Sequence, residues 1–448
     1  MTTALRSDRV VLPSGVRPAT VLIDEGAISA VLSGTAPLPR DVELHDVTGL
    51  VVSPGLVDSH VHVNEPGRTQ WEGFATATAA AAAGGVTTIV DMPLNSIPAT
   101  TTVGALAEKR AAAQDQVVVD VAFWGGITSD DTSSVAPLVA AGVCGFKVFL
   151  VPSGVDEFCS IGPGELERAL AVTARLGVPV IVHAEAPGPL ERAPAPQGRS
   201  YAAYVASRPP EAEVEAVQSV IDAVRTTGGR AHILHLSAQE CLPLLRSARA
   251  EGLPITVETC PHYLSLSAED IPDGATQCKC APPVRSEANR AALWRALGDG
   301  VIDCMVSDHS PASPEVKSLD TGDFGTAWGG ISGIQTSLPV VWTAARQLGY
   351  GLVDMARWQS ATPARIAGLP QKGGIDVGKD ADLVVWDPDA EFVVKAEDLL
   401  QRHKISPWHG KRLSGVVAQT WLRGERVEQA APPRGLLLNR GVSVGAGA

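Results

Sequence analysis

Residues 55–62 read GLVDSHVH and residues 143–150 read VCGFKVFL: a short apolar run ends in a side chain able to ligate a metal. The design returns in VPVIVHAE (178–185), AHILHLSA (231–238) and IDCMVSDHSP (302–311), which carry His183, His235 and Asp308. With His60, His62 and Lys147 these make six candidate ligands. They sit at or near the ends of runs 1, 4, 5, 6 and 8 of eight predicted strands, 56–62, 86–91, 117–122, 143–149, 178–183, 231–236, 254–259 and 302–307. Between the runs, stretches such as 103–113, 164–176 and 211–226 place apolar residues at helical spacing. Strands alternating with helices predict an α/β fold, a (β/α)8 TIM barrel over 53–365 with its chemistry at the carboxyl ends of the strands.

The flanks differ in style. Residues 1–52 hold short alternating runs such as RVVLPSG and PATVLID, and 374–430 repeat them in ADLVVWDP and VVAQTWLRGERV. Together, 1–52 and 366–448 predict a small β-sandwich built from both termini, with a Gly/Ala tail after Arg440 expected to be disordered.

Composition excludes several classes of function. The 448 residues are 45% hydrophobic, enough for a large core, and 44 Gly with 33 Pro imply many tight connections. A net charge of −13 disfavours nucleic acid and anionic membrane surfaces as partners. The Ala-rich stretch near residue 80 is too small-sided, and too broken by Gly84 and Gly85, to be a membrane span. Seven cysteines, odd in number and scattered through apolar segments, argue against a disulfide framework and for a reduced, cytoplasmic protein. The opening residues do not read as a signal peptide.

The ligand set can be argued residue by residue. On a strand, residues i and i+2 share a face, so His60 and His62 can grip one ion from one side. A bare H-x-H is weak, and a single strand histidine is more often a hydrogen-bonded core residue. Four such histidines together with Asp308 reverse that balance. Lys147 lies between Phe146 and Val148, where a bare ammonium is costly. Its bland alternative is a snorkelling or ion-paired lysine. Reaction of its neutral amine with carbon dioxide instead gives a carbamate, an anion whose two oxygens can bridge two cations. Imidazoles and carboxylates suit zinc, although cobalt, manganese or iron would be accepted, and bound zinc brings the pKa of water to about 7. Asp308 is then placed to hold the nucleophile and pass its proton to a leaving nitrogen; alone, it would read as a helix cap. His262 and His309 are candidates for groups behind the ligands or against substrate, while His45, His403 and His409 read as structural.

VDSHVHVNEPG, GFKVFL, VHAE, HLSA and SDHSP, in this order, resemble the cyclic amidohydrolase group of the amidohydrolase superfamily, which includes dihydroorotases, hydantoinases and allantoinases. The resemblance runs from about residue 50 to GKDADLVVWDP (378–388). It implies two divalent metal ions, carboxylation of Lys147 to N6-carboxylysine, a homotetramer, and hydrolysis of a cyclic amide to a ureido acid. Dihydroorotases resemble H-x-H-x-R followed by M-P-N-T, where the arginine and asparagine hold a ring carboxylate; here Asn64 and Leu94 stand in those places. Without that cationic fork an anionic ring loses its clamp. NEPGRTQWEGF, DMPLNSIPAT, FLVPSGVDEF, YVASRP, ETCPHYL and AWGGISGIQ instead resemble the allantoinase branch, whose substrate is neutral. Substrate contacts are then expected at Asn95, Ser153, Ala281 through its main chain, Gly329 and Gly330, with Arg68 holding the opening loop through a carboxylate. Two departures from that branch are visible: Ala281 stands where a serine is expected and Ala312 where a cysteine is expected. A hydantoinase or dihydropyrimidinase-like amidase is the alternative enzyme, and a metal-free scaffold the alternative outside catalysis.

Overall fold

The computed structural model describes residues 2–428 and 431–441, so the Gly/Ala tail after residue 441 lies outside the described residues. Eight strands follow the predicted order: Leu56–Val61, Val86–Asp91, Asp120–Phe123 with its continuation Gly125–Gly126, Phe146–Phe149, Val180–His183, Ala231–Ile233, Ile255–Thr259 and Cys304–Met305. We number them barrel strands 1 to 8. Neighbours pair in parallel from strand 1 to strand 3 and from Gly125–Gly126 through strand 8. Backbone hydrogen bonds join the runs. Cys144 N donates to Phe123 O at 2.9 Å, linking strands 3 and 4, and His62 N donates to His309 O at 2.8 Å, linking strand 1 to the end of strand 8.

These strands are largely apolar because both faces are covered, which is why they read as runs rather than alternations. Helices Val103–Ala113, Pro163–Leu176 and Pro210–Thr227 supply crossovers. The last two start on proline at the first turn and stop at Gly177 (φ 67°) and Gly228 (φ 66°), left-handed positions that favour glycine.

The terminal segments form one eight-stranded sheet from Thr3–Leu12, Gly15–Asp24, Ala27–Ser33, Glu43–Asp46, Val51–Pro54, Leu383–Val393, Arg412–Leu422 and Glu425–Arg426. Alternation gives it two buried faces. Val52, Leu383 and Val385 join Leu5, Val21 and Trp421 in a core of their own, whereas Val51, Val384 and Trp386 pack into the barrel's core. The chain then returns to the barrel: Gly435 N donates to Val117 O and Leu438 N to Val121 O, both at 2.8 Å.

Candidate active site

The six candidate ligands meet at the carboxyl ends of the strands, lining a cavity of about 630 Å³. His60 Nε2 lies 3.2 Å and His62 Nε2 3.5 Å from Asp308 Oδ1. The His183 and His235 rings are 4.6 Å apart and His60 and His235 5.5 Å, centroid to centroid. Lys147 Nζ stands 4.7 Å from the centre of the Phe149 ring, which stacks on His183. Asn64, Asn95, His235 and Asp308 take φ of 67°, 64°, 33° and 44°. Such left-handed backbone costs a non-glycine residue, and its concentration around one cavity marks a place where side-chain aim outweighs local comfort.

Three of the four imidazoles are fixed from behind. His60 Nδ1 meets Glu258 Oε1 at 2.5 Å, and Glu258 Oε2 meets His232 Nε2 at 2.8 Å. His183 Nε2 meets Glu185 Oε2 at 2.7 Å, and Glu185 is in turn paired with Arg208. His62 Nδ1 faces Asn95 Nδ2 at 3.4 Å. Asp58 accepts from His60 N and Ser307 N, both at 3.2 Å, tying strand 1 to strand 8 beneath the site.

The electrostatics favour ligand forms. Burial pushes His62 down to about 4, despite Asp308 beside it, and lowers His183 and His235 as well. Burial also brings Lys147 down to about 8, enriching the neutral amine that can add carbon dioxide. Burial alone would raise Asp308, but His60, His62 and His235 around it hold its carboxyl well below the usual range.

Do these residues fit metal ions? Donor atoms of His60, His62 and Asp308 lie within 4.8 Å of one another. His60 Nε2 and His235 Nδ1 are buried with no hydrogen-bond partner among the described residues. Leaving such atoms unpaired is expensive, and a cation between them removes the cost. The donor set suits zinc-like ions, and the acceptors behind His60 and His183 are what ligand imidazoles require.

All five expected substrate residues, Asn95, Ser153, Ala281, Gly329 and Gly330, line the same cavity. Ser153 Oγ donates to Phe158 O at 2.5 Å, so its hydroxyl proton serves its own loop. Arg68 pairs with Glu157 and donates to Asn95 O at 3.0 Å, bracing the opening loop. His309 is held by Glu72 at 3.3 Å and accepts from Gly333 N at 3.2 Å, which makes it structural. His262 is buried near Asp308 with neither ring nitrogen partnered. The residues that the motifs did not disclose are Asp58, Glu185, Arg208 and Glu258. An ionisable residue in or beside a strand that carries a candidate ligand histidine was the available signal for Asp58 and Glu185; Arg208, between helices Tyr201–Ala206 and Pro210–Thr227, and Glu258, whose strand bears no candidate ligand, had none.

Comparison with known proteins agrees with this geometry. Residues 51–427 match the Amidohydrolase family. An allantoinase from Streptomyces avermitilis is 52% identical, the match covering 97% of this chain and 98% of that protein. The allantoinase of Saccharomyces cerevisiae is 44% identical over 95% of each chain. Among solved structures, L-hydantoinase (dihydropyrimidinase) from Arthrobacter aurescens superposes with a TM-score of 0.89 at 32% identity, covering 98% of both chains. A barrel with candidate ligands at its strand ends, a histidine cluster backed by carboxylates and a match spanning most of the sequence lead to one assignment: this chain belongs to the amidohydrolase family.

Proposed function

We propose that the protein opens the hydantoin ring of allantoin to give allantoate, as a binuclear-metal cyclic amidohydrolase. The observation that carries the reading is a ligand cluster facing a wall without a free cation. Leu94, Asn95, Ser153, Ala281, Gly329 and Gly330 are uncharged, while the two cations in the lining besides the candidate ligand Lys147 are already engaged. Arg208 is paired with Glu185, and Lys279 Nζ donates to Phe324 O at 2.5 Å and Ala327 O at 2.6 Å. A neutral ring suits such a wall, and an anionic ring does not. The allantoinases that resemble the chain over nearly its whole length support the same choice.

His60, His62, Lys147, His183, His235 and Asp308 would hold two ions, zinc by preference, with Lys147 as N6-carboxylysine. When bound, such ions acidify a water and polarise a carbonyl. The chain's own work is then positional and protonic. Main-chain groups at Ala281, Gly329 and Gly330, with Asn95, orient the ring. Asp308 takes the proton of the attacking water and passes it to the departing ring nitrogen. Ser310 Oγ, donating to Asp308 Oδ1 at 2.9 Å, keeps that carboxylate aimed.

Asp308→Ala should keep much of the metal yet lose roughly 10²- to 10⁴-fold in kcat, the usual worth of a positioned acid or base. Turnover and metal content measured on the same sample check this, and full activity would remove Asp308 from the proton path. A hydantoinase reading is favoured by the structural similarity to L-hydantoinase. Allantoate formation from allantoin, compared with ring opening of hydantoin and dihydrouracil, separates the two. We further take the protein as a cytoplasmic homotetramer. The first rests on cysteines that are all free and, Cys159 apart, buried; the second rests on the family resemblance.

A further inference from the structure

We propose that Lys317 is a positioning residue for the substrate: its amine ties together two backbone segments, 279–281 and 328–330, that form one wall of the cavity. The proposal rests on the cyclic amidohydrolase reading of that cavity. Lys317 is 3% exposed, and its Nζ donates to Gly330 O at 2.6 Å, Trp328 O at 3.0 Å and Lys279 O at 3.4 Å. An ammonium has three N–H groups, and all three are spent on main-chain carbonyls. Gly330 N also donates to Lys279 O at 2.8 Å, so the two segments meet where the amine grips them.

The groups acting on Lys317 are Cys280, Cys278 and Lys279, none of them a carboxylate. A buried cation without a counter-ion is a costly way to fill space that an apolar side chain would fill at less expense. What it does supply is aim. Lys279, Trp328, Gly329 and Gly330 all line the cavity, and the Trp328 ring packs 5.0 Å from Trp71 of the opening loop. Main-chain groups at these positions can orient a flat heterocycle only while the two segments keep their spacing.

The chemistry makes the clamp sensitive to pH. Burial pushes the Lys317 amine down to about 7; Cys280 and Cys278 work against that shift, and Lys279 adds to it. Below that pH three N–H groups hold three carbonyls. Above it, a neutral amine has two N–H groups and turns a lone pair toward the third carbonyl. The wall loosens as pH rises, and KM should rise with it.

The test is steady-state kinetics of metal-replete protein with allantoin from about pH 6 to about pH 9, for wild type, Lys317→Arg and Lys317→Met. The wild-type KM should climb several-fold through the interval, whereas Lys317→Arg, which stays protonated, should show no climb. Lys317→Met should raise KM by about tenfold at every pH with kcat within about threefold, since the lost bonds are charge-assisted and act through binding. Metal content should be equal in all three. Superimposable KM–pH curves for wild type and Lys317→Arg would overturn the proposal, as would a Met variant that loses kcat while KM stays put. Either variant suffices if the other does not fold. A wild type that leaves allantoin intact but opens another cyclic amide defeats the substrate reading alone, and the same comparison on that amide still decides the clamp.

Discussion

Glu258 shows what single residues decide here. Its two oxygens hold His60 and His232, and Oε1 also accepts from His235 N at 3.2 Å; the two rings keep its carboxyl ionised although burial opposes this. Glu258→Gln should weaken metal binding by about 10- to 100-fold, the usual effect of removing the partner of a ligand imidazole. Competition against a chelator measures it, and unchanged affinity would show that His60 needs no such support. The six residues that meet in the cavity were legible in the sequence as candidate ligands because each ends an apolar run, and the order His60, His62, Lys147, His183, His235, Asp308 is distinctive. Glu258 was not, because ITVET is an ordinary strand end until strands 1, 6 and 7 are brought together around the barrel. Glu185 and Arg208 were on the page in VHAE and YVASRP, but their pairing links residues 23 apart in sequence through the folded wall.

At the scale of elements, the barrel strands follow the predicted runs closely, since burial on both faces leaves a continuous apolar signal. The eighth is trimmed to Cys304–Met305, because the residues that follow turn away to present Asp308. The terminal strands were legible as alternation, but their pairing into one sheet was not, for it joins Val51–Pro54 to Leu383–Val393 across the whole barrel sequence. A buried charge cluster ties this sheet to barrel strand 3. Lys372 Nζ lies 2.5, 2.8 and 2.7 Å from Asp120, Asp380 and Asp382, and Arg423 also pairs with Asp120 of barrel strand 3. Those three carboxylates lie as close together as metal ligands do, but Lys372 sits among them and, with Arg423, sets two positive charges against their three negative ones. Lys372→Met leaves buried carboxylates short of a cation and should cost about 3–5 kcal/mol. Denaturant unfolding reads that loss; metal content of the folded fraction should not change, and unaltered stability would contradict this role for the cluster.

For the whole molecule, the outcome is a rigid cup with two kinds of wall. One holds the six candidate ligand side chains, with His62, His183 and His235 lowered by burial, and the other offers main-chain groups and uncharged side chains. The reading of the substrate turns on Asn64 and Leu94. Asn64 Nδ2 donates to Pro311 O at 3.3 Å, and Leu94 lines the cavity, so neither supplies a cation to an anionic ring. The decisive measurement is kcat/KM of zinc- and bicarbonate-replete protein for allantoin, dihydroorotate, hydantoin and dihydrouracil, with each ureido acid quantified. Allantoin should be preferred and dihydroorotate should be the poorest. Turnover of dihydroorotate in preference to allantoin would contradict the account, since nothing in this wall answers a ring carboxylate.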